Sequence, residues 1–461
     1  MKAGAGTTAI IGLLCGLLVS CGGSGSGNNT ASNGARVTDN VQAITVDAGP
    51  TGLFANMITT SVTICVPGTT TCQTIADVQV DTGSSGLRLL ASAVTLPLPT
   101  VSSPGGIFSE CTAFADGFVW GPLVTADIRL AGEAAPSMSI QLIQDNGVGP
   151  AVPAACSGQG TAENSLATLG ANGILGVGVF LQDCGGFCAV NTSPLYYTCS
   201  GSGCTQSPIP VALQISNPVA FFAQDNNGVV LQLPAVPATG ATAATGNLIF
   251  GIGTQADNAL DAVAIAVPDS GPTAGAFTAI YKGVTLGASF IDSGSSQFFF
   301  DDSRIPICPS STPEGDLSSF YCPGSATALS TLPLNITLAG SNGAAVAIAP
   351  NLANAQFLFA QPGAAALNVF NDLGGPAGSM LPNAFDLGVP FFSARACSPH
   401  SNRARHRPAT ALTSRSSRSP EFPDRARRLP RFRRANLAFV ESPASTENAA
   451  RPPAHLAGVL R

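Results

Sequence analysis

Two short segments of this 461-residue chain repeat one pattern: Val78-Gln79-Val80-Asp81-Thr82-Gly83-Ser84-Ser85, and about two hundred residues later Ser289-Phe290-Ile291-Asp292-Ser293-Gly294-Ser295-Ser296. Each is an apolar run that delivers one Asp into a Ser/Thr-Gly-Ser turn. The duplication asks for two similar halves that bring their turns together. Two carboxylates placed face to face cannot both ionise easily, so they share a proton, and such a pair can activate water in acid. Asp81 and Asp292 are therefore a candidate catalytic dyad. An Asp beside Ser is also a common turn former, and it is the pairing that favours the functional reading.

If the two turns work together, each neighbour has a task. Gly83 and Gly294 let two loops approach without side-chain clash. Thr82 and Ser293 can bond across the junction, while Ser84 and Ser295 can donate to the outer carboxylate oxygens. A water held between the carboxylates would lose a proton to one Asp while the other, protonated, polarises a carbonyl. Neither a metal nor a cofactor is needed. His400, His406 and His455 all follow Phe392, so the body has no histidine base and Ser-His catalysis is set aside there.

Only 10% of the residues are charged, against about a quarter in average proteins, while Gly (51) and Pro (35) abound. Short alternating runs such as Thr59-Thr60-Ser61-Val62-Thr63-Ile64 and Gly228-Val229-Val230-Leu231-Gln232-Leu233 alternate with turn-rich stretches, which predicts an all-β body. The run Asn172-Gly173-Ile174-Leu175-Gly176-Val177-Gly178 follows the first Asp motif, and Phe385-Asp386-Leu387-Gly388 follows the second. That order is a weak internal duplication. The body is acidic, about −16, and the segment after Phe391 is basic, about +10. An acidic body argues against a nucleic-acid partner.

The start has the length and charge of a secretory signal, and Leu18-Val19-Ser20-Cys21 resembles a bacterial lipoprotein signal in which Cys21 is lipidated. Residues 1–21 are then the signal and 22–40 a flexible linker. This predicts a protein anchored to a membrane in the cell envelope. In a diderm that leans to the outer membrane, because Gly22 offers no acidic retention signal. Ten cysteines remain between Cys21 and Cys397, an even number that suits disulfides in an exported chain. Spacing suggests Cys65 with Cys72 and Cys308 with Cys322. Cys111 and Cys156, and the cluster Cys184, Cys188, Cys199 and Cys204, supply the rest. Zinc at the cluster is the weaker alternative.

On both Asp motifs and both apolar-Gly runs, the chain resembles a bilobal pepsin-type aspartic peptidase, and more closely a family of uncharacterised bacterial lipoproteins with these motifs. The stretch Phe114-Ala115-Asp116-Gly117-Phe118-Val119-Trp120-Gly121 is similar to the flap hairpin of that fold. The resemblance covers roughly residues 55 to 393. It implies a double barrel with an N-terminal lobe at 41–235 and a C-terminal lobe at 236–393, and a monomer taking a polypeptide substrate or ligand between the lobes. Phe114 stands where a flap tyrosine is usual and Arg88 where a tryptophan commonly follows the first motif. Loss of the tyrosine hydroxyl bears on activity, and Trp120 is the candidate to compensate.

Past Phe392 the chain turns Arg/Pro/Ser-rich and loses its patterning, which reads as a disordered tail at 394–461; it is either a genuine basic tail for anionic surfaces or, the favoured reading, out-of-frame translation that leaves the second lobe incomplete. Three functions compete: a lipid-anchored aspartic endopeptidase, a catalytically silent scaffold that binds peptide or glycan, and a structural envelope lipoprotein.

Overall fold

The Val-, Ile- and Thr-rich runs form strands and the Gly/Pro-rich stretches turn between them. The structure, a computed structural model, describes residues 40–145, 149–258, 264–268, 271–361 and 367–393, with two further strands at 410–414 and 435–438. It is mostly β. Its α-helices, among the described residues, are single turns of four or five residues.

The first half supplies β1 (Val41–Asp47), β2 (Met57–Cys65), β3 (Cys72–Asp81), β4 (Ser85–Leu90), β5 (Gly106–Ala113), β6 (Gly117–Leu130), β7 (Glu133–Ile143) and β8 (Gly173–Val177). Six of these close a barrel in the order β2-β3-β8-β4-β7-β6 and back to β2. The return strand β8 lies parallel to β3 and antiparallel to β4, buried throughout, which accounts for its unbroken apolar text.

A bulge in β3 decides where the first Asp points. Thr60 pairs with Val78 but Val62 with Ile75, so β3 carries one extra residue there, and Asp77 takes a left-handed φ of 55°. An extra residue moves every later side chain to the other face. Ile75 is buried ahead of the bulge, and Val78 and Val80 are buried after it. Asp81, one further on, therefore leaves the face that Val78 and Val80 share.

The second half supplies β9 (Gly228–Gln232), β10 (Ala244–Phe250), β11 (Phe277–Tyr281), β12 (Val284–Ile291), β13 (Phe298–Phe299), β14 (Ile336–Ala339), β15 (Ala345–Ile348), β16 (Gly374–Gly375) and β17 (Asp386–Leu387). Seven of them form an open sheet, β15-β14-β11-β12-β17-β13-β16. The pairing around the second Asp repeats the first: β17 is parallel to β12 and antiparallel to β13. A register shift lies between Phe277 and Ala279, on the hairpin that leads to Asp292.

Of the expected double barrel, the described residues form one closed barrel in the first half and an open sheet in the second, where β13, β16 and β17 span two residues each. Past Phe392, Thr410–Ser414 pairs with β9 and Ala435–Ala438 pairs with Ala264–Ala266. Thr-Ala-Leu-Thr-Ser and Ala-Asn-Leu-Ala are strand-compatible text that satisfies edge backbone groups. The rest of 394–461 lies outside the described residues, as do 1–39 with Cys21.

The expected lobe boundary at 235/236 is crossed by a ladder. β1 pairs with β2 on one side and with β10 on the other, and β10 pairs with β9. One apolar core runs from Ile44 through Leu175 to Phe298 and Phe392. Among the described residues the disulfides are Cys65–Cys72, Cys111–Cys156, Cys184–Cys188, Cys199–Cys204 and Cys308–Cys322. The cysteine cluster is thus two disulfide pairs.

Candidate active site

Asp81 ends β3 and Asp292 follows β12, and both side chains are buried. Two reciprocal hydrogen bonds join their turns. The Thr82 N–H donates to Ser293 Oγ (3.0 Å) and the Ser293 N–H to Thr82 Oγ1 (2.9 Å). Each hydroxyl then donates onward across the junction, Thr82 Oγ1 to the Ile291 carbonyl (3.2 Å) and Ser293 Oγ to the Val80 carbonyl (2.7 Å). Four buried bonds thus lock the two turns in a matched pair.

Within each turn the carboxylate is held alike. Asp81 Oδ1 accepts from the Gly83 N–H (2.7 Å) and Oδ2 from Ser84 Oγ. Asp292 Oδ1 accepts from the Gly294 N–H (2.7 Å) and Oδ2 from Ser295 Oγ (2.9 Å). A Cβ on Gly83 would lie 2.9 Å from Asp292 Cγ, so this position has no room for a side chain. Gly83 is exposed and Ser84 half-buried, which opens the first turn to solvent, while Gly294 and Ser295 are buried. Burial, then the neighbouring carboxyls of Asp81 and Asp386, and a hydrogen bond with Asp81 push Asp292 well above the ordinary carboxylate range.

The apolar-Gly runs sit directly behind the turns. A Cβ at Gly176 would come within 2.6 Å of the Ser85 nitrogen, and one at Gly388 within 2.1 Å of the Gln297 carbonyl oxygen. Gly176 lies opposite Asp81, and Leu387, just ahead of Gly388, lies opposite Ile291. On this register Asp386 occupies the position that Ile174 holds in the first half. Asp386 is fully buried, and its Oδ2 lies 2.6 Å from Ser295 Oγ. Sequence reasoning read it only as part of an apolar-Gly run. The signal was there, an acid where the first run has isoleucine.

Arg88, noted as a departure, anchors a buried network. Its Nε donates to Glu110 Oε2 (3.0 Å) and Thr112 Oγ1 (3.1 Å), Nη2 to Glu110 Oε1 (2.6 Å) and Asp183 Oδ2 (3.3 Å), and Nη1 to the Ser85 carbonyl (3.0 Å). Tyr196 Oη donates to Asp183 (2.7 Å) and accepts from the Ile215 N–H (2.9 Å). Burial alone would raise Glu110, but the Arg88 charge and hydrogen bonds from Asp183, Arg88 and Thr112 hold it below its usual range. Burial, then Glu110, pushes Asp183 well above the ordinary carboxylate range, against the Arg88 charge. The network ties β5, which carries Glu110, to the strand that follows the first Asp turn. Glu110, Asp183 and Tyr196 were not singled out from the sequence.

The hairpin of β5 and β6 has its tip at Phe114-Ala115-Asp116, where the Phe114 N–H donates to the Gly117 carbonyl (2.7 Å). Phe114 is buried among Leu90, Val119, Ile143, Leu169 and Ile174, all from its own half, and Ala115 packs against the cluster of Phe299 and Leu381 in the other half. Trp120 is not at the tip. Its indole N–H donates to the Pro150 carbonyl (2.9 Å) and its ring meets Tyr197 edge-on beside two disulfides, so it does not replace a tip hydroxyl.

Fold and site together define a mostly β protein with a closed six-stranded barrel and two cross-bonded Asp turns. The family described as "Protein of unknown function (DUF3443)" matches residues 36–407, and the chain belongs to it. The match runs past Phe392, beyond the point where apolar patterning stops. No curated protein matches the chain.

Proposed function

We propose that this chain is a pepsin-type aspartic-peptidase-like hydrolase, anchored in the cell envelope through Cys21, that cleaves polypeptides with Asp81 and Asp292. What carries the reading is the reciprocal bonding of Thr82 and Ser293, which holds two similarly cradled carboxyls together. A bilobal pepsin-like fold belongs to the same proposal, supported by the repeated pairing β3-β8-β4 and β12-β17-β13.

In the proposed reaction one proton is shared by the dyad, and Asp292 is the member pushed toward its protonated form. A water between the carboxyls gives a proton to Asp81 as its oxygen attacks the peptide carbonyl carbon, and Asp292 donates its proton to the carbonyl oxygen. The tetrahedral diol then collapses: Asp81 passes its proton to the amide nitrogen, the C–N bond breaks, and a diol hydroxyl returns a proton to Asp292. Acid and amine leave, and the dyad regains its single proton.

A second reading, a silent scaffold binding peptide or glycan, is favoured by the hairpin tip, where Phe114 carries no hydroxyl and is buried in its own half. Cleavage of an unfolded protein substrate by the full chain, from strongly acidic to neutral pH, separates the two. Cleavage that rises in acid and is lost in Asp81→Asn is the expected result. A folded chain that binds peptide without cutting it would replace the peptidase with the scaffold.

A further inference from the structure

Ser295 Oγ lies 2.9 Å from Asp292 Oδ2 and 2.6 Å from Asp386 Oδ2, and all three side chains are buried. A hydroxyl carries one proton. If Ser295 gives that proton to Asp292, the shorter contact needs a second proton, and Asp386 is the group able to hold it. Asp386 Oδ1 has no hydrogen-bond partner among the described residues. A buried, ionised carboxylate with one oxygen unsatisfied would be costly, whereas a neutral acid is tolerable. The first half has no counterpart, since Ile174 fills the equivalent place and packs against Phe114.

We propose that Asp386 is a third carboxyl of the site, a positioning residue that stays protonated, donates to Ser295 Oγ and thereby aims the Ser295 proton at Asp292 Oδ2. The donor chain runs Asp386 to Ser295 to Asp292, with one proton on Asp386 Oδ2 and one on Ser295 Oγ. The charged or titratable groups that act on Asp386 are Asp81 and Asp292, both acidic, and no described cation faces it. Burial and the Asp81 charge raise its affinity for the proton, against the Ser295 hydrogen bond. Were Asp386 to ionise, Ser295 would turn its proton to the new charge, and Asp292 would lose a donor while gaining a negative neighbour. Asp386 thus makes the dyad asymmetric and links its alkaline limit to a group that touches neither water nor substrate.

The catalytic part of this role rests on the peptidase reading; the protonation of Asp386 does not. Infrared spectra of the full chain labelled with carbonyl-13C aspartate, taken at neutral pH, would be compared with Asp386→Asn and Asp386→Leu. The expected difference is loss of a protonated-acid carbonyl band in both variants. Loss of only an ionised-carboxylate band overturns the proposal. For proteolysis, Asp386→Leu, which has no donor, is expected to lower kcat about tenfold with KM little changed and to alter the alkaline limb of the pH profile, while Asp386→Asn, whose amide still donates, recovers most of kcat. A folded Asp386→Leu protein with the wild-type profile overturns the positioning role. If no form of the chain cleaves but the acid band disappears with Asp386, the peptidase reading fails and the protonated third carboxyl stands.

Discussion

Asp292 is flanked by two other carboxyls, Asp81 across the junction and Asp386 behind Ser295, and this crowding has a consequence for stability. Its folded-state pKa lies well above the unfolded value of about 3.8, so the folded chain binds more protons between those two values. Stability therefore falls as pH rises through that window, with a limiting slope of about 1.4 kcal/mol per pH unit for one proton. Asp386 and Asp183, both raised, act in the same direction. Glu110, held low, acts oppositely and loses its contribution only as pH falls below its ordinary value of 4.5 toward its folded pKa. Asp292→Asn removes one titration, so it is expected to raise the melting temperature at neutral pH and to flatten the rise in stability on going to mildly acidic pH. Thermal unfolding at both pH values checks this. An unchanged slope would mean that Asp292 titrates normally.

Among the elements, the hairpin of β5 and β6 is attached to the first Asp turn through Arg88 and Glu110, both at most 1% exposed. Arg88→Leu leaves Glu110 buried without its cation and is expected to cost about 3–5 kcal/mol in chemical denaturation. The double change Arg88→Met with Glu110→Leu removes both charges and should restore much of that loss. Equal losses in the single and double variants would show that shape, not charge, holds the hairpin. The lone arginine in Leu87-Arg88-Leu89-Leu90 signalled that acidic partners must exist, since a cation in an apolar strand needs them. Their identity was illegible, because Glu110 and Asp183 are 22 and 95 positions away and only the sheet brings them in.

For the whole molecule, the ladder β2-β1-β10 and the four bonds of the turn junction make the two halves one body. Cys111–Cys156 closes the longest disulfide loop, 45 residues, and the others span 14 or fewer. Such bonds persist in an oxidising compartment. Lipidation at Cys21 predicts that the chain made in a diderm host incorporates labelled fatty acid and that Cys21→Ser abolishes the label. Label retained by the variant would remove the anchor from the proposal.

The β class, each Asp turn taken by itself, and the two short-range disulfides Cys65–Cys72 and Cys308–Cys322 were determined by the sequence alone, because each depends on residues close by in the chain: alternation, turn chemistry and short loops. Tertiary structure decided the rest. The closure of one barrel but not of the second sheet depends on strand lengths that a repeated motif does not specify. The burial of Phe114 within its own half and of Trp120 beside two disulfides depends on packing between distant strands. Asp386 joins the site only because β17 lies between β12 and β13. A carboxyl's protonation follows from what is folded around it, and Ser295 and Asp386, 91 positions apart, meet only in the folded chain.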